Sequence, residues 1–384
     1  MADQTLTFRS LKDVEQGEKG SRSCKVSYAT PAGPAKGLAL VIPGFGEDVD
    51  DDYNTMLRRH ISGKHGLVAA TVDYHCMHAR PPVAGVQVDD SEHASLIGQL
   101  VLAGRPELAD VKSPTQTLKN GLGGNVAFEI RGNIVPPNGD FQNFGVLQAI
   151  DHIHAVYALQ DRGVDFDPAT IVAIGTSHGG YIAHLIAKFA PNLLSGIIDN
   201  SAYTQCSPNY VGADFECKQS EGQGTLFLRT QTKWQLVSPQ MPGYFGPAQF
   251  SIRDLATPEH LRIMREKSVR PCKIRMLNST EDGISPLTLK ERKQNHLVKA
   301  GFDATLDRIT HGHIDNDMIK NLGHGMGAAL NRLFDRYYPS LSPGTAETDR
   351  DLNTDIAFDC VHSRYRFQHA LGAEMMRFTY REDA

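Results

Sequence analysis

Residues 172–189 read VAIGTSHGGYIAHLIAKF, and this stretch decides the fold. An apolar run ends at Gly175-Thr176-Ser177-His178-Gly179, and apolar residues then resume with the spacing of a helix that stops before Pro191. A Gly-x-Ser-x-Gly turn between a buried strand and a helix strains the serine backbone, and glycine two residues to either side avoids a clash with neighbouring backbone. The pattern predicts a nucleophile elbow that presents Ser177 to a cleft.

Composition bounds the class of protein. The chain has 384 residues, of which 40% are hydrophobic and 22% are charged, which fits one large α/β domain with insertions. The net charge is only −5 and no basic stripe is present, so the sequence argues against a nucleic-acid or anionic-membrane partner.

Targeting signals and cysteine spacing indicate the compartment. The first ten residues lack a basic region followed by an apolar stretch, and no apolar run of about 18 residues occurs, so we expect neither export nor membrane spanning. A cytoplasmic protein is therefore expected. The six cysteines contain no Cys-x-x-Cys pair, which predicts buried thiols rather than a disulfide framework or a zinc knot.

Short apolar strands alternate with helical segments along most of the chain. Because parallel strands need crossover connections, this alternation predicts an α/β fold with a doubly wound, mostly parallel sheet. Helices are expected at about 141–159 and at 326–338, the second stopped by Pro339. The predicted strands are 38–42, 67–72, 171–174, 196–198, 273–277 and 304–309.

The remaining segments are interpreted as additions to one domain. Residues 1–339 are predicted to form the core domain, with lid inserts at about 77–139 and 202–270. Alternating polar and apolar residues in 340–384 predict a C-terminal β extension that packs on the core and contains a late strand pair.

A serine nucleophile needs a histidine base and a carboxylate that orients the histidine. In this kind of fold the chain order is serine, acid, histidine. The acid is expected after the strand that ends at Leu277, where Asp282 is the preferred candidate and the adjacent Glu281 is held in reserve.

The histidine is sought after the strand at 304–309. His324 is preferred because it has glycines on both sides and lies just before the final helix. His313 is its main rival, and His311 is a further candidate because it lies near the end of the strand.

An oxyanion hole needs two preorganised N–H donors. The backbone of His178 is expected to supply one donor. The second is expected from Phe45, in the glycine loop after the strand at 38–42, because it directly follows Gly44. Pro43 has no N–H and cannot donate.

The ordered motifs VIPGFGED, AIGTSHGGY, NSTEDGISP and GHGM resemble those of the α/β-hydrolase superfamily, over about residues 38–338. The elbow is similar to that of prolyl-oligopeptidase-like hydrolases. The resemblance implies Ser177, Asp282 and His324 as a catalytic triad. Asn278 and Pro43 depart from the family pattern, since histidine is common at both positions, and this weakens a peptidase assignment against a generic esterase. The chain also resembles a bacterial hydrolase-like family of unknown function.

Three other segments of the sequence are alternative candidate sites. The His311-Gly312-His313-Ile314-Asp315 segment resembles the start of a metallo-β-lactamase-type metal site, but Asn316 stands where another histidine normally follows. The segment 74–78 (YHCMH) is interpreted as a lid anchor rather than a soft metal site. The acidic residues of 47–52 suit a helix N-terminus better than a site for a cationic substrate.

The sequence therefore predicts a serine hydrolase that cleaves a small-molecule carboxylic ester through an acyl-enzyme. Acyl transfer and peptide hydrolysis by the same triad are alternatives, as is a noncatalytic binding protein of hydrolase fold. The mechanism requires neither a cofactor nor a metal, and homo-oligomer formation is left open.

Overall fold

The structure is a computed structural model that describes residues 3–45, 47–78, 85–106, 128–136, 139, 141–207, 211, 216–221, 224–341, 353–370 and 375–382. Within these residues the strands are β1 (Asp3–Leu11), β2 (Ser21–Ala29), β3 (Leu38–Ile42), β4 (Val68–Asp73), β5 (Gly85–Gln87), β6 (Phe128–Val135), β7 (Ile171–Thr176), β8 (Gly196–Asn200), β9 (Glu216–Glu221), β10 (Gly224–Thr230), β11 (Lys273–Ser279), β12 (Ala304–Ile309), β13 (Thr354–Cys360), β14 (Ser363–His369) and β15 (Arg377–Glu382).

Helices lie between successive strands over much of the described chain. They are α1 (Asp52–His65), α2 (Asp90–Leu102), α3 (Val146–Asp161), α4 (His178–Phe189), α5 (Pro247–Arg253), α6 (Pro258–Lys267), α7 (Leu287–Lys299) and α8 (Leu330–Leu341), with short 3-10 turns at Val14–Gln16 and His311–His313. None of these helices is both long enough and apolar enough to cross a membrane.

The main sheet has eight strands in the order β1-β2-β4-β3-β7-β8-β11-β12. Strand β2 is antiparallel to β1 and β4, and every pairing from β4 to β12 is parallel. Counted within the sheet, the order is 1-2-4-3-5-6-7-8 with an antiparallel second strand. This is the strand order of the α/β-hydrolase fold, so the predicted fold class is confirmed.

The core explains why the central strands read as continuous apolar runs. All residues of β3 and β8 are buried, as expected for parallel strands covered on both faces. On one face, α1 and α8 pack over an apolar cluster that includes Val41, Ile174, Leu277 and Phe334. Helices α3 and α4 are almost entirely buried. The active groups of such a sheet collect at the carboxyl ends of its parallel strands.

The chain separates into two compact units. The first contains 1–77, 143–206 and 245–384, and the second contains 78–142 and 207–244. The second unit holds α2 and a four-stranded sheet in the order β5-β6-β10-β9. The predicted insert at 202–270 is longer than the stretch in the second unit, because α5 and α6 belong to the first unit with the sheet.

The C-terminal strands form their own antiparallel sheet in the first unit, in the order β13-β14-β15. The sequence indicated a strand pair here, and the described chain has three strands. The Tyr365 hydroxyl on β14 donates to Glu15 Oε1 at 2.6 Å, and Glu15 also pairs with Arg253 of α5. This buried network connects the last sheet to the start of the chain.

The boundaries of α3 and α8 differ from the expectations. Helix α3 begins at Val146 rather than at 141, because Phe144 and Gly145 have φ of +47° and +107° and turn the chain, while Asn143 Oδ1 accepts the N–H of Leu147 at 2.8 Å. The predicted stop at Pro339 is wrong. Helix α8 begins at Leu330 rather than at 326, where Met326 has a non-helical φ of +58°. It continues to Leu341, whose buried side chain lies against Gly196.

Candidate active site

Ser177 lies between β7 and α4 in a conformation that few residues adopt. Its φ is +54° and its ψ is −118°, a sterically strained combination for a residue with a side chain. A Cβ added to Gly179 would lie 2.0 Å from Ile42 O, and one added to Gly175 would lie 2.4 Å from the carbonyl carbon of Gly179. The two glycines of the motif are therefore required by backbone packing on both sides of the serine.

The structure brings Ser177, His324 and Asp282 together in one hydrogen-bonded chain. Ser177 Oγ is 2.7 Å from His324 Nε2, and His324 Nδ1 is 2.9 Å from Asp282 Oδ2 and 3.0 Å from its Oδ1. The side chain of His324 is 19% exposed, whereas that of Asp282 is completely buried. In this geometry His324 can take the serine proton at Nε2 while Nδ1–H points at the carboxylate.

Asp282 is held in its charged form. Burial by itself would raise the pKa of this carboxyl, but the hydrogen bonds from His324 and from the N–H of Ser285 outweigh burial and lower the pKa. Asp282 Oδ1 accepts the N–H groups of Ile284 and Ser285 at 2.9 and 2.8 Å. The loop therefore presents an ionised carboxylate to the histidine at neutral pH.

Asn278 closes the loop that carries Asp282. Its Nδ2 donates to the carbonyl of Ser285 at 2.8 Å and to that of Ser279 at 3.1 Å. The sequence marked Asn278 only as a departure from the family pattern. In the structure, the buried side-chain amide of Asn278 holds the two ends of the acid loop together.

The loop that carries His324 is attached to two strands of the sheet. Asn200 Nδ2, at the end of β8, donates to Gly325 O at 3.1 Å and to Thr176 Oγ1 at 3.0 Å. Ser279 Oγ, at the end of β11, donates to Leu322 O at 2.7 Å. Sequence reasoning missed Asn200. The signal that could have found it is a polar side chain at the carboxyl end of a buried strand next to the elbow.

The rival candidates have other surroundings. His311 and His313 are exposed, and His313 Nδ1 accepts the N–H of Thr310 at 3.1 Å. His311 Nδ1 is 3.4 Å from Glu281 Oε1, and both side chains are more than half exposed. Asp315 Oδ1 accepts three consecutive backbone N–H groups, those of residues 317–319. The segment 311–315 is therefore a surface turn stabilised by its own side chains.

The two predicted oxyanion donors lie on the glycine loop after β3 and at the start of α4. His178 is the first residue of α4, where N–H groups have no partner within the helix. The ring of Phe45 contacts the ring of His178 edge-on, with centroids 6.1 Å apart. The His178 ring is buried, which lowers its pKa to about 3, and its Nε2 lies 2.8 Å from Gln148 Oε1. This ring is therefore neutral, and only the backbone of His178 is suited to the predicted role.

Glu47 was interpreted only as one of the acidic residues near α1. Its Oε2 accepts the N–H of Gly44 at 2.9 Å, which braces the glycine loop after β3. The neighbouring acids have ordinary structural partners. Asp51 accepts the N–H of Asn54 at 2.6 Å as the N-cap of α1, and Asp50 pairs with Lys25. The helix-terminus interpretation therefore fits Asp51, the N-cap, and Asp52 in the first turn of α1, whereas Glu47 and Asp50 have other partners.

A cleft of about 250 Å³ opens beside His324 within the first unit. Glu47 and Tyr53 supply polar groups to its walls, and the Tyr53 hydroxyl accepts the N–H of Leu330 at 3.0 Å. Thr176 and Gly325 line the side next to the hydrogen-bonded chain. A small substituent of a bound molecule would fit this space.

Several solved structures have a similar fold. The fold is similar to that of an acylaminoacyl peptidase from Pyrococcus horikoshii (12% identity, TM-score 0.48), with 92% of this chain and 43% of the peptidase covered. It is also similar to an esterase from Rhizomucor miehei (11%, TM-score 0.44, 89% and 82% covered) and to Thermogutta terrifontis esterase 2 (11%, TM-score 0.43, 88% and 90% covered). The chain spans less than half the length of the peptidase.

Sequence comparison assigns the chain to a family. No curated protein matches this sequence. One family model matches residues 4–376, nearly the whole chain, and the protein therefore belongs to the family described as "Protein of unknown function (DUF2920)".

Proposed function

We propose that this protein is a serine hydrolase that cleaves a carboxylic ester with Ser177 as nucleophile, His324 as base and Asp282 as the orienting acid. The observation that supports the proposal is the continuous hydrogen-bonded chain from Ser177 Oγ through both ring nitrogens of His324 to Asp282. Its order along the sequence, serine then acid then histidine, is that of the α/β-hydrolase fold.

The proposed reaction has two stages. His324 Nε2 takes the Ser177 proton as Oγ attacks the carbonyl carbon, and the imidazolium is stabilised by the ionised Asp282. The tetrahedral intermediate then collapses, the alcohol leaves with the proton from His324, and an acyl-enzyme remains. Water, deprotonated by His324, attacks the acyl-enzyme and releases the acid and the free serine.

The negative oxygen of the intermediate needs fixed donors. In this proposal they are the backbone N–H groups of His178 and Phe45, each contributing about 3 kcal/mol to transition-state stabilisation. Glu47 supports this arrangement by bracing Gly44, the residue before Phe45. Its carboxylate also lines the cleft beside His324, so we expect a neutral or cationic substituent there rather than an anionic one.

Labelling with a fluorophosphonate tests whether the serine is activated. We expect the purified protein to be labelled on the peptide that contains Ser177, and Ser177→Ala to remain unlabelled. Hydrolysis of p-nitrophenyl acetate and butyrate measures turnover, and release of the acyl group to an added alcohol would instead indicate acyl transfer. Absence of labelling in folded protein would contradict an activated serine and favour a noncatalytic binding protein.

Paired variants test the histidine and the acid. We expect His324→Gln and Asp282→Asn to lower kcat by roughly 10⁴-fold, because the base or its tautomer is lost. The matched controls His313→Gln and Glu281→Gln remove exposed side chains from the neighbouring turns and should retain activity. If a control variant lost activity while its partner variant retained it, the catalytic role would belong to the residue changed in the control.

A further inference from the structure

Two histidines and an aspartate meet on the side of the first unit where α1 and α8 pack together. His60 and His65 lie on α1, and Asp335 lies on α8. The three residues each offer one potential ligand atom, and these atoms lie within 4.8 Å of one another. This cluster involves none of the residues of the hydrogen-bonded chain at Ser177.

Both imidazoles point at the same oxygen. His60 Nε2 is 2.9 Å and His65 Nε2 is 2.6 Å from Asp335 Oδ1. Ligands around a tetrahedral zinc ion, at bond lengths near 2.1 Å, are about 3.4 Å apart. The donors can accept an ion between them if each of the two histidine–carboxylate distances, now 2.9 and 2.6 Å, opens by roughly 0.5–0.8 Å.

The surroundings of the cluster orient its members. The ring of His65 packs edge-on against Phe334 and Tyr338, with centroids 5.1 Å away in both cases. Lys64 Nζ is 2.7 Å from Asp335 Oδ2, which leaves Oδ1 directed at the two histidines. A carboxylate with one oxygen hydrogen-bonded and the other facing imidazoles is a common arrangement in metal sites.

Helix polarity also favours a cation at this position. Helix α1 ends at His65, and Gly66 caps it in the left-handed conformation with φ of +69°. The C-terminal end of a helix carries partial negative charge on its last carbonyl groups. Neutral imidazole and carboxylate are the donor set that Zn²⁺ and its transition-metal neighbours prefer, whereas Mg²⁺ and Ca²⁺ prefer oxygen alone.

We propose that His60, His65 and Asp335 form a binding site for one Zn²⁺ ion, with water completing the coordination. The ion binds the Nε2 lone pair of each neutral ring, and each ring then carries its proton on Nδ1. Exposure of the His60 side chain, at 28%, gives the ion a route from solvent.

The site joins two elements that border the Ser177 region. Helix α1 follows the glycine loop after β3, and α8 follows the loop that carries His324. Leu330, the first residue of α8, already donates its N–H to Tyr53 of α1. A metal between the two helices acts on stability and leaves the chemistry of Ser177 unchanged.

Zinc titration of the full chain, prepared without a histidine tag and freed of metal by EDTA dialysis, tests the proposal. We expect isothermal titration with ZnCl₂ to show one equivalent bound, and zinc to raise the temperature of unfolding. His60→Gln changes the most exposed ligand, and we expect it and Asp335→Asn to weaken zinc affinity at least 10-fold.

The control variants change exposed histidines that lie outside the proposed zinc site. His311→Gln and His313→Gln change two exposed histidines of the surface turn and should leave zinc affinity unchanged. No saturable binding at 100 µM zinc by protein with a native circular dichroism spectrum would overturn the proposal. Equal affinity of the wild type and a folded His60→Gln variant would also overturn it.

Discussion

Ser177 shows how a single residue can depend on its neighbours. Its N–H donates to Asn200 O at 2.8 Å and its carbonyl accepts the N–H of Tyr181 at 3.0 Å, so the chain turns from strand into helix within one residue. The positive φ at Ser177 is offset by these bonds and by the absence of side chains at 175 and 179. The elbow is therefore as much a property of the glycines as of the serine.

A substitution at Gly179 should disrupt the elbow. In Gly179→Ala the new Cβ would lie 2.0 Å from Ile42 O, and because a backbone atom cannot move aside cheaply we expect a loss of at least about 2 kcal/mol in the free energy of unfolding. Urea unfolding measures this loss. The control is Gly283→Ala in the acid loop, where no atom lies within 4 Å of the added Cβ. Equal stability of the two variants would contradict the packing argument.

At the scale of elements, the site depends on bonds between strand ends and loops. Strand β8 contributes no member of the Ser177–His324–Asp282 chain, yet Asn200 at its end connects Thr176 of β7 to Gly325 beside His324. The neighbouring Asp199 is buried, and its carboxylate binds Lys290 Nζ of α7 at 2.6 Å and His184 Nε2 of α4 at 2.8 Å. The end of β8 thus fixes the elements on both sides of the elbow.

Removal of the Asn200 amide should displace the histidine loop. A displacement of about 1 Å at a reacting group can lower a rate on the order of 10²-fold, so we expect Asn200→Ala to reduce the rate of fluorophosphonate labelling by roughly 10- to 100-fold. Asn295→Ala, which changes an exposed residue on α7, serves as the control. An unchanged labelling rate in Asn200→Ala would show that the loop holds its position without this bond.

At the scale of the whole molecule, buried histidines make the fold sensitive to acid. Burial lowers the pKa of several histidines. Four of them are His152, with a pKa of about 4, and His154, His178 and His184, each with a pKa of about 3. In the unfolded chain these rings take up protons near pH 6.5, whereas the folded protein keeps them neutral. Between these pH values the unfolded state binds more protons, so stability is complete above pH 6.5 and falls as the pH decreases.

Asp13 changes the pH dependence of stability in the opposite direction to the buried histidines. Burial and the nearby Glu15 raise its pKa to about 7, so the folded state retains a proton that the unfolded chain releases near pH 4. The four histidines outweigh this one carboxyl, and we expect stability to decrease by up to about 4 kcal/mol per pH unit near pH 5. The midpoint of urea unfolding at pH 7, 6 and 5 measures the effect. A midpoint that stays constant over this range would contradict the neutral state of the buried rings.

The sequence was sufficient for the fold because its signals are local. Buried parallel strands such as β3 and β7 read as short apolar runs, and the Gly-x-Ser-x-Gly turn marks the passage from β7 directly into α4. Helix ends were harder to predict. Pro339 removes only one backbone donor near the end of α8, and burial of Leu341 compensates for that loss, so the helix continues beyond the proline.

The sequence by itself determined the identity of the elbow, the order of its partners and the need for glycine at 175 and 179, because steric strain acts between residues that are close along the chain. Only the tertiary structure decided which of His311, His313 and His324 reaches Ser177, since all three follow β12 and differ only in how their loop is held. Bonds from Asn200 and Ser279 to that loop bring His324 to Ser177. Contacts between residues far apart in sequence, including the approach of Asp335 to His60 and His65, arise only when the helices pack.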